Sequence, residues 1–394
     1  MSLLEKIGLP KGRTGQFIVD GVADGFEAFA LAAAAAEAAP DGPLLFVARY
    51  GQRLPAIIEA LAFVAPDLPV LEFPAWDCLP YDRVSPGADA AARRLDALAA
   101  MAALRKSPHR AVVLTTANAL LQRIPPAEVI EAQGFRAKPG SNVNMNELIS
   151  RLEKSGFERV PTVRDVGEFA VRGGILDLYA PGADEALRLD FFGDTLETIR
   201  AFDVATQRTT GTRTQVSLQP MTEVTLTPDT ISRFRRNYIE TFGAPSRDDG
   251  LYAAISEGRR FAGMEHWLPF FYDSVETLFD YLPETPFVFD HLAHEAIAER
   301  HTQVLDHYEA RRQQSGAGLK DAVPYRPVAP SAMYLSPDDV SAALADRLSA
   351  ELTPFATPDA GGRQLRHAGS RKGRGFGRIA ALRQQRAGFA QRGE

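Results

Sequence analysis

The chain has 394 residues, of which 45% are hydrophobic and 24% charged, a composition typical of a soluble globular protein with two or three domains. The formal net charge of −6 is unevenly spread, because residues 358–394 hold nine Lys or Arg against two acids, which leaves −13 on the preceding 357 residues. This acidic body argues against a general nucleic-acid-binding surface. The single cysteine, Cys78, excludes an internal disulfide framework and a cysteine-based zinc site.

The sequence contains no targeting segment that we can identify. The first residues, MSLLEKIGLPKGRTG, lack the apolar core of a signal peptide. Residues 30–39 are rich in Ala but too short and too weakly apolar to span a membrane, and they predict a helix. Together with the single cysteine, these features predict a cytoplasmic protein without a membrane segment.

The first predicted elements have the layout of a phosphate-binding P-loop. An apolar strand is followed by a turn containing Gly21 and Gly25, and then by an Ala-rich helix. A P-loop needs Gly-Lys-Ser/Thr here, whereas Phe26 and Glu27 follow Gly25, and Glu27 places a negative charge where phosphates bind. The pattern predicts a degenerate nucleotide fold that binds no cofactor; a generic glycine turn in an α/β domain is the alternative.

Strands alternate with helices over residues 1–126, which predicts a parallel α/β sheet. Pro125-Pro126 indicates a domain boundary. The predicted strands lie at residues 16–19, 44–48, 68–73 and 111–115, and the predicted helices at 26–39, 52–64, 88–101 and 117–122.

A small α+β domain is predicted for residues 127–212. After a strand-like entry at 128–137, a helix at 145–154 is capped by Asn144 and followed by Gly156. A meander comes next, with strands at 168–179, 187–192 and 195–202, the last two joined by a Gly193-Asp194 turn that favours a hairpin.

Arginines and aromatic residues are interleaved along this meander, a composition typical of a protein-binding sheet face. An ordinary solvated sheet face has the same composition and stays open as an alternative. The arginines are Arg164, Arg172, Arg188 and Arg200. We interpret the neighbouring acids as their ion-pair partners rather than as a catalytic pair. These acids are Asp165, Glu168, Asp177 and Asp190.

Residues 213–350 predict a further α/β segment. Its predicted strands lie at 224–226 and 286–290, and its predicted helices at 228–242, 248–257, 277–281, 294–312 and 340–351. Residues 351–394 form a basic tail rich in Gly and Arg, which we expect to be disordered. A tail that contacts DNA or RNA is the alternative.

No catalytic or metal-binding motif is recognisable. His294 and His301 are seven residues apart and no HExxH sequence occurs, so the histidines do not have the spacing of zinc ligands on a helix. No Gly-x-Ser-x-Gly elbow is present. The sequence therefore predicts no catalytic residues and no metal site.

Five blocks of the chain, in order, resemble the N-terminal UvrB-like region of the bacterial transcription-repair coupling factors. The resemblance covers about residues 10–345, and its five ordered blocks make it more specific than a single motif. The blocks are FPAWDCLPYDRVSP, GEFAVRGGILD, RLDFF, FD and GMEHWLP, which begin at residues 73, 167, 188, 202 and 263.

The resemblance implies a UvrB-like module of three domains. Residues 1–126 would form domain 1A, a degenerate RecA- or helicase-like parallel sheet without an ATP site. Residues 127–212 would form an inserted small α+β domain, called domain 2, and residues 213–350 a second α/β segment, domain 1B. The tail, residues 351–394, does not resemble the family's continuation.

Domain 2 resembles the part of UvrB that binds the excision-repair protein UvrA, so the resemblance implies a UvrA-binding face on the meander. Arg172 is the first choice, because it lies in a matching block. Arg159, Arg188, Tyr179 and Phe191 are further choices. The implied function is recruitment of UvrA in transcription-coupled nucleotide excision repair, by a monomer without ATPase activity.

Full-length family members continue into a domain that binds RNA polymerase and into ATP-dependent motor domains that bind double-stranded DNA. No Gly-Lys-Thr or Asp-Glu-x-His motor motif occurs in this chain. The resemblance therefore implies a truncated N-terminal module, whether as a natural fragment, a frameshifted product or a shortened piece. The rival expectations are an ATP-dependent DNA translocase and a DNA-binding protein that acts through its basic tail.

Overall fold

The computed structural model describes residues 7–12, 14–180, 183–316, 325–357 and 364–367. The largest sheet in this part of the chain is built from β1 (Gly15–Asp20), β2 (Pro43–Ala48), β3 (Val70–Glu72), β4 (Ala111–Thr116), β13 (Phe287–Phe289), β14 (Leu348–Leu352) and β15 (Gln364–His367). All of its pairings are parallel, in the order β15-β1-β14-β13-β2-β4-β3. β2 and β4 are buried throughout, as expected of central parallel strands covered on both faces.

Helices cover both faces of the large sheet. On one face, an apolar cluster around Leu31 and Leu61 packs under the first two helices. On the other face, a second cluster is centred on Leu98 and Leu120. These layers confirm the predicted α/β class. The helices are α1 (Glu27–Glu37), α2 (Leu54–Val64), α3 (Ala88–Lys106), α4 (Ala117–Leu120), α5 (Ala127–Gln133), α9 (Leu278–Tyr281), α10 (Ala293–Gly316) and α12 (Pro337–Leu344).

A third apolar cluster, rich in aromatic rings, lies beside the large sheet. It joins Trp76 and Tyr81 from the loop after β3 to Phe234 and Trp267. Two of the blocks that carried the family resemblance therefore pack against each other in this core. Its elements are α7 (Pro228–Phe242), α8 (Gly250–Ser256), α11 (Pro330–Met333) and the 3₁₀ helix Met264–Phe270.

A smaller sheet forms from the middle of the chain. Its strands are β6 (Glu158–Arg159), β7 (Glu168–Arg172), β8 (Ile175–Leu178), β9 (Ala186–Phe192), β10 (Thr195–Phe202) and β11 (Thr209–Thr212). They pair in sequence order; β6 and β7 are parallel and the other neighbours antiparallel. α6 (Met145–Lys154) packs on this sheet through Leu148 and Leu152, and β5 (Phe135–Ala137) pairs separately with β12 (Val216–Leu218). The predicted cap is confirmed, because the Asn144 side chain accepts hydrogen bonds from the backbone at Asn146 and Glu147.

Two predicted strands are wrong. Residues 127–133 are helical, because Pro126 precedes the first turn and the Glu276 carboxylate accepts a hydrogen bond from the Ala127 backbone; only residues 135–137 are a strand. Residues 224–226 pair with no strand in the described chain, because their apolar side chains, Val224 and Leu226, are buried in the third cluster instead. The single strand predicted at 168–179 is a hairpin, divided by a turn at Gly173-Gly174.

The C-terminal predictions differ most from the structure. The helix predicted at 340–351 ends at Leu344, and Leu348–Leu352 is a strand between β1 and β13, a partnership formed with residues distant in sequence. Residues 364–367, placed in the disordered tail, form the edge strand β15. Residues 358–363 and 368–394 of that tail lie outside the described residues.

The domain boundaries at 126, 212 and 350 stay predictions. β13 falls in the segment predicted as domain 1B and β14 crosses the boundary predicted at 350, yet both pair with strands of the segment predicted as domain 1A. No helix in the described ranges is long and apolar enough to cross a membrane. Over the same residues, no three His, Cys, Asp or Glu side chains are grouped to hold a metal ion.

Candidate functional site

The small sheet has one apolar and one polar face, since side chains alternate along each strand. The apolar face packs against α6 and includes Phe169, Leu176 and Leu189. The opposite face carries a row of charged side chains, which the register brings side by side: Asp177 pairs with Arg188, and Arg188 with Arg200. We call this surface the arginine face; it consists of Arg172, Asp177, Arg188, Asp190, Phe192 and Arg200.

Asp177 is the centre of the arginine face. Its side chain is only 2% exposed, and both carboxylate oxygens accept hydrogen bonds from Arg188, at 2.7 Å from Nε and 2.9 Å from Nη2. Arg172 Nη2 donates to the same carboxylate at 3.2 Å. Two arginines therefore converge on one buried acid, and the hydrogen bonds that Arg188 donates to Asp177 raise the pKa of the Arg188 guanidinium.

The two arginines differ in what they offer to a partner. Arg188 lies over the Phe202 ring, with 4.7 Å between the guanidinium carbon and the ring centroid, and is largely buried. The Arg172 side chain is 51% exposed at the end of β7. Because Asp177 orients it but does not cover it, Arg172 can contact a partner in a conformation that is already fixed.

A second ion pair extends the polar row. Arg200 contacts Asp190 through Nε at 2.9 Å and through Nη2 at 2.7 Å, and the Thr198 hydroxyl donates to the same carboxylate. Both side chains are partly exposed. The predicted ion pairing holds for Asp177 and Asp190, whereas the Glu168 carboxylate accepts hydrogen bonds from the backbone N–H groups of Arg164 and Asp165.

Phe192 is the exposed aromatic side chain of the arginine face. It is 77% exposed, and it lies two residues beyond Asp190 on β9, directly before the Gly193-Asp194 turn. Gly193 has a φ of +58°, which a glycine adopts readily at the first central position of a two-residue hairpin loop. Sequence reasoning missed Phe192 and chose its neighbour; strand alternation from Arg188 would have indicated it.

The structure brings together only some of the predicted site residues. Arg172 and Arg188 meet at Asp177, and Tyr179 is half-buried against the apolar cluster of Ala170 and Phe202, two strand positions from Asp177. Phe191 packs partly buried against the core on the opposite face. Arg159 lies exposed on the edge strand β6, in register with Phe169 rather than with Arg172.

The turn between β7 and β8 needs a glycine for space. The Phe191 backbone N–H donates to the Gly174 carbonyl at 2.7 Å, and a Cβ at Gly174 would lie 2.7 Å from the Phe191 carbonyl oxygen. Such a contact is too short for any other residue without a backbone shift. Gly174 therefore fixes how the hairpin carrying Arg172 approaches β9.

Side chains of the chain itself close the loop after β1, which the sequence analysis interpreted as a degenerate P-loop. Glu27 is buried at the start of α1, where its Oε2 accepts a hydrogen bond from the Gly25 backbone at 2.7 Å. Arg53 forms ion pairs with Glu27, with Asp290 at 2.7 Å and with Asp24 at 3.2 Å. An internal carboxylate thus occupies the backbone donor that a phosphate would use. Gly21 and Gly25 have the positive φ values of a tight turn, and half-buried Phe26 precedes α1.

A buried ion pair anchors the chain where it returns from the small sheet. Arg94 of α3 and Glu223 are 2.6 Å apart and both almost fully buried. Trp76 Nε1 donates to the same carboxylate at 2.8 Å, and Gln122 Oε1 accepts a hydrogen bond from Arg94. This network joins the loop after β3, α3 and the segment after β12. It therefore fixes the position of the chain segment that leaves the small sheet relative to the large sheet.

Comparisons with known proteins show which family this chain resembles. The family model of the UvrB interaction domain matches residues 135–224, which include β5 to β12. The chain is 36% identical over 278 residues to the transcription-repair-coupling factor of Rickettsia bellii, a match that covers 71% of this chain and 24% of that protein. The protein of the same name from Haemophilus influenzae is 35% identical over 272 residues, which cover 68% of this chain and 23% of that protein. The one from Escherichia coli is 30% identical over 276 residues, which cover 70% of this chain and 23% of that protein. The chain therefore spans about a quarter of the length of these relatives.

Proposed function

Because this chain is related to the transcription-repair-coupling factors and carries a UvrB interaction domain, we propose that it is a recruitment module that binds UvrA through the arginine face in transcription-coupled nucleotide excision repair. The observation that supports this most is the convergence of Arg172 and Arg188 on Asp177 beside exposed Phe192. Oriented arginine and an exposed aromatic ring are the side chains that dominate binding energy at protein interfaces.

The module acts by proximity rather than by chemistry. In the longer protein, a neighbouring region contacts RNA polymerase and translocates on double-stranded DNA, and this module holds UvrA near the stalled polymerase. Tethering two binding events raises the effective concentration of the second to the millimolar range, so a moderate affinity for UvrA is sufficient. If the chain is divided into domains 1A, 2 and 1B, as we propose, the arginine face belongs to domain 2.

The chain itself binds no ATP in this proposal. Glu27 and Arg53 close the loop after β1, and a phosphate there would meet the Glu27 carboxylate. ATP-dependent translocation is therefore assigned to the longer protein alone. DNA binding through the basic tail is not proposed, since the preceding 357 residues are acidic.

The experiment is a titration of UvrA with the unaltered chain and with Arg172→Ala. Truncating a central interface arginine costs about 2 kcal/mol, so the dissociation constant is expected to rise about thirtyfold. Arg236→Ala removes an exposed arginine of α7 and is the matched control, with no expected change. Equal affinity of all three proteins, with the fold intact, would remove Arg172 from the interface.

A further inference from the structure

Three large apolar side chains are exposed at one edge of the large sheet. They follow the carboxyl ends of β2, β13 and β14, which are neighbours in the sheet. The residues are Tyr50, Leu292 and Phe355, with exposed fractions of 53%, 42% and 65%. We call these three residues the edge patch. A group of exposed apolar side chains on one edge of a sheet indicates a surface to which another segment or molecule binds.

The segments that carry the edge patch contact one another. The Phe355 ring lies 5.4 Å from the His291 ring, adjacent to Leu292. The Asp290 backbone donates to the Val47 carbonyl at 2.9 Å, which holds the turn before Leu292 beside the end of β2. The segments that carry Leu292 and Phe355 therefore contact each other, and the turn before Leu292 lies beside the end of β2, two residues before Tyr50.

Leu292 is presented by a strained backbone. Its φ is +61°, in the left-handed region that bulky side chains avoid, and its carbonyl accepts the first hydrogen bond of α10 from Ala296. Asn or Gly would fit this position more easily. An apolar side chain that is held in solvent at the expense of backbone strain indicates a use for that side chain.

The surroundings of the edge patch are acidic. Three carboxylates, those of Asp24, Glu27 and Asp290, pair with the guanidinium groups of Arg49 and Arg53 around the ends of β1, β2 and β13. This group of ion pairs has a net charge of −1, and its exposed member is Asp24, with a side chain that is 77% exposed.

The chain leaves the described fold at the same edge. β15 is parallel to β1, and its last residue, His367, pairs with Asp20, the last residue of β1. Residues 368–394 therefore start at the carboxyl edge. With strands about 4.8 Å apart, the end of β15 lies roughly 20 Å from that of β2, whereas an extended 27-residue segment reaches about 90 Å.

We propose that residues 368–394 dock in cis on the edge patch. This segment holds seven Lys or Arg and one acid, which complements the negative rim. It also carries Phe376, Ile379, Leu382 and Phe389, which can cover Tyr50, Leu292 and Phe355. A segment that begins beside the surface, with the opposite charge and its own apolar residues, fits it better than a second copy of this acidic chain.

Tethering makes this docking feasible with few contacts. A short flexible connection gives an effective concentration of about 1 mM. An intrinsic dissociation constant of about 0.1 mM would then keep the tail docked about nine-tenths of the time. Cleavage that requires the undocked tail would be slowed about tenfold, because it follows the population of the open form.

The test is limited digestion of the full chain with trypsin, which cleaves at the tail's arginines and lysine. Leu292→Asn removes the apolar side chain and suits the left-handed backbone, so the fold stays intact while tail cleavage is expected to accelerate about tenfold. Phe355→Ser is expected to do the same. Phe63→Ser, which removes an exposed ring near the far end of α2, is the control and leaves the rate unchanged.

Two outcomes would overturn the proposal. One is a tail that is cleaved equally fast in the unaltered chain and in Leu292→Asn. The other is an increase of sedimentation mass with protein concentration that Leu292→Asn abolishes, because the edge patch would then be covered by a second copy of the chain. A single concentration-independent mass with slowed cleavage supports docking in cis.

Discussion

Asp177 is the residue on which the arginine face depends. The alternation of acids and arginines along the meander was sufficient to predict ion pairing, and Asp177 was named among those acids. Its burial was not predictable, because it follows from the pairing of β8 with β7 and β9 on either side. The same limit explains the choice of Phe191 over Phe192: the strand was predicted, but which of its sides faces α6 was not.

Replacing Asp177 by Ala is expected to destabilise the protein. Arg188, mostly buried, would lose its bidentate partner, and the loss of one member of a buried ion pair leaves a charge without compensation. We expect the free energy of unfolding to fall by about 2 kcal/mol, measured by urea denaturation. Asp190→Ala, which breaks a more exposed pair, is expected to cost about 1 kcal/mol or less. Equal losses in the two variants would contradict the central position of Asp177.

His266 predicts a pH dependence of stability. It is buried between Trp76 and Tyr81, with Asp82 and Arg311 nearby, and burial lowers its pKa to about 4. In the unfolded chain a histidine has a pKa of about 6.5, so between these values the unfolded state binds the proton and the folded state does not. Stability is thus fully present above pH 6.5 and is lost as the pH falls toward 4.

The measurement is urea denaturation at pH 7 and pH 5, for the unaltered chain and for His266→Phe. The linkage relation gives a loss of about 2 kcal/mol from this group between the two pH values. His266→Phe keeps an aromatic ring in place. Between pH 7 and pH 5, its free energy of unfolding is expected to fall by about 2 kcal/mol less than that of the unaltered chain. An identical loss in both proteins would mean that His266 has the same pKa in the folded and the unfolded state, which contradicts the effect of burial.

At the scale of single elements, the sequence correctly predicted those helices and turns that are determined by residues close together in the chain. The helix capped by Asn144 and the hairpin at Gly193 follow from residues a few positions apart, and both were predicted with nearly correct bounds. β14 was predicted as the end of a helix at 340–351, whereas its strand conformation comes from pairing with β1 and β13. Residues 224–226 show the converse, since β-branched and apolar side chains there pack in a core without a strand partner.

The contacts of Glu27 with the loop between β1 and α1 predict how much this residue contributes to stability. Glu27→Ala removes the acceptor for the Gly25 N–H and a buried partner of Arg53, so we expect about 2 kcal/mol less stability in urea denaturation. Asp24→Ala, which removes an exposed partner of the same arginine, is expected to cost less than about 0.5 kcal/mol. Calorimetric titration of the unaltered chain with ATP is expected to show no saturable binding. A micromolar dissociation constant for ATP would contradict the closed loop.

At the scale of the whole molecule, the small sheet is inserted between the parts of a parallel sheet built from both ends of the described chain. The alternation of strands and helices predicted this class of fold, but no local pattern placed β13 and β14 between β1 and β2. The buried Arg94–Glu223 pair fixes the segment that returns from the insertion. The arginine face is therefore carried on a body in which Glu27 and Arg53 close the glycine-containing loop after β1.

The dissociation constant of UvrA for the Phe192→Ala variant tests the central claim most directly. Phe192 and Phe63 are exposed to a similar extent, at 77% and 73%, so Phe63→Ala controls for the loss of a surface ring away from the arginine face. We predict an affinity at least tenfold weaker for Phe192→Ala, equivalent to about 1.4 kcal/mol, and an unchanged affinity for Phe63→Ala. Unchanged binding by a folded Phe192→Ala protein, or equal losses in both variants, would contradict the assignment of the arginine face to UvrA.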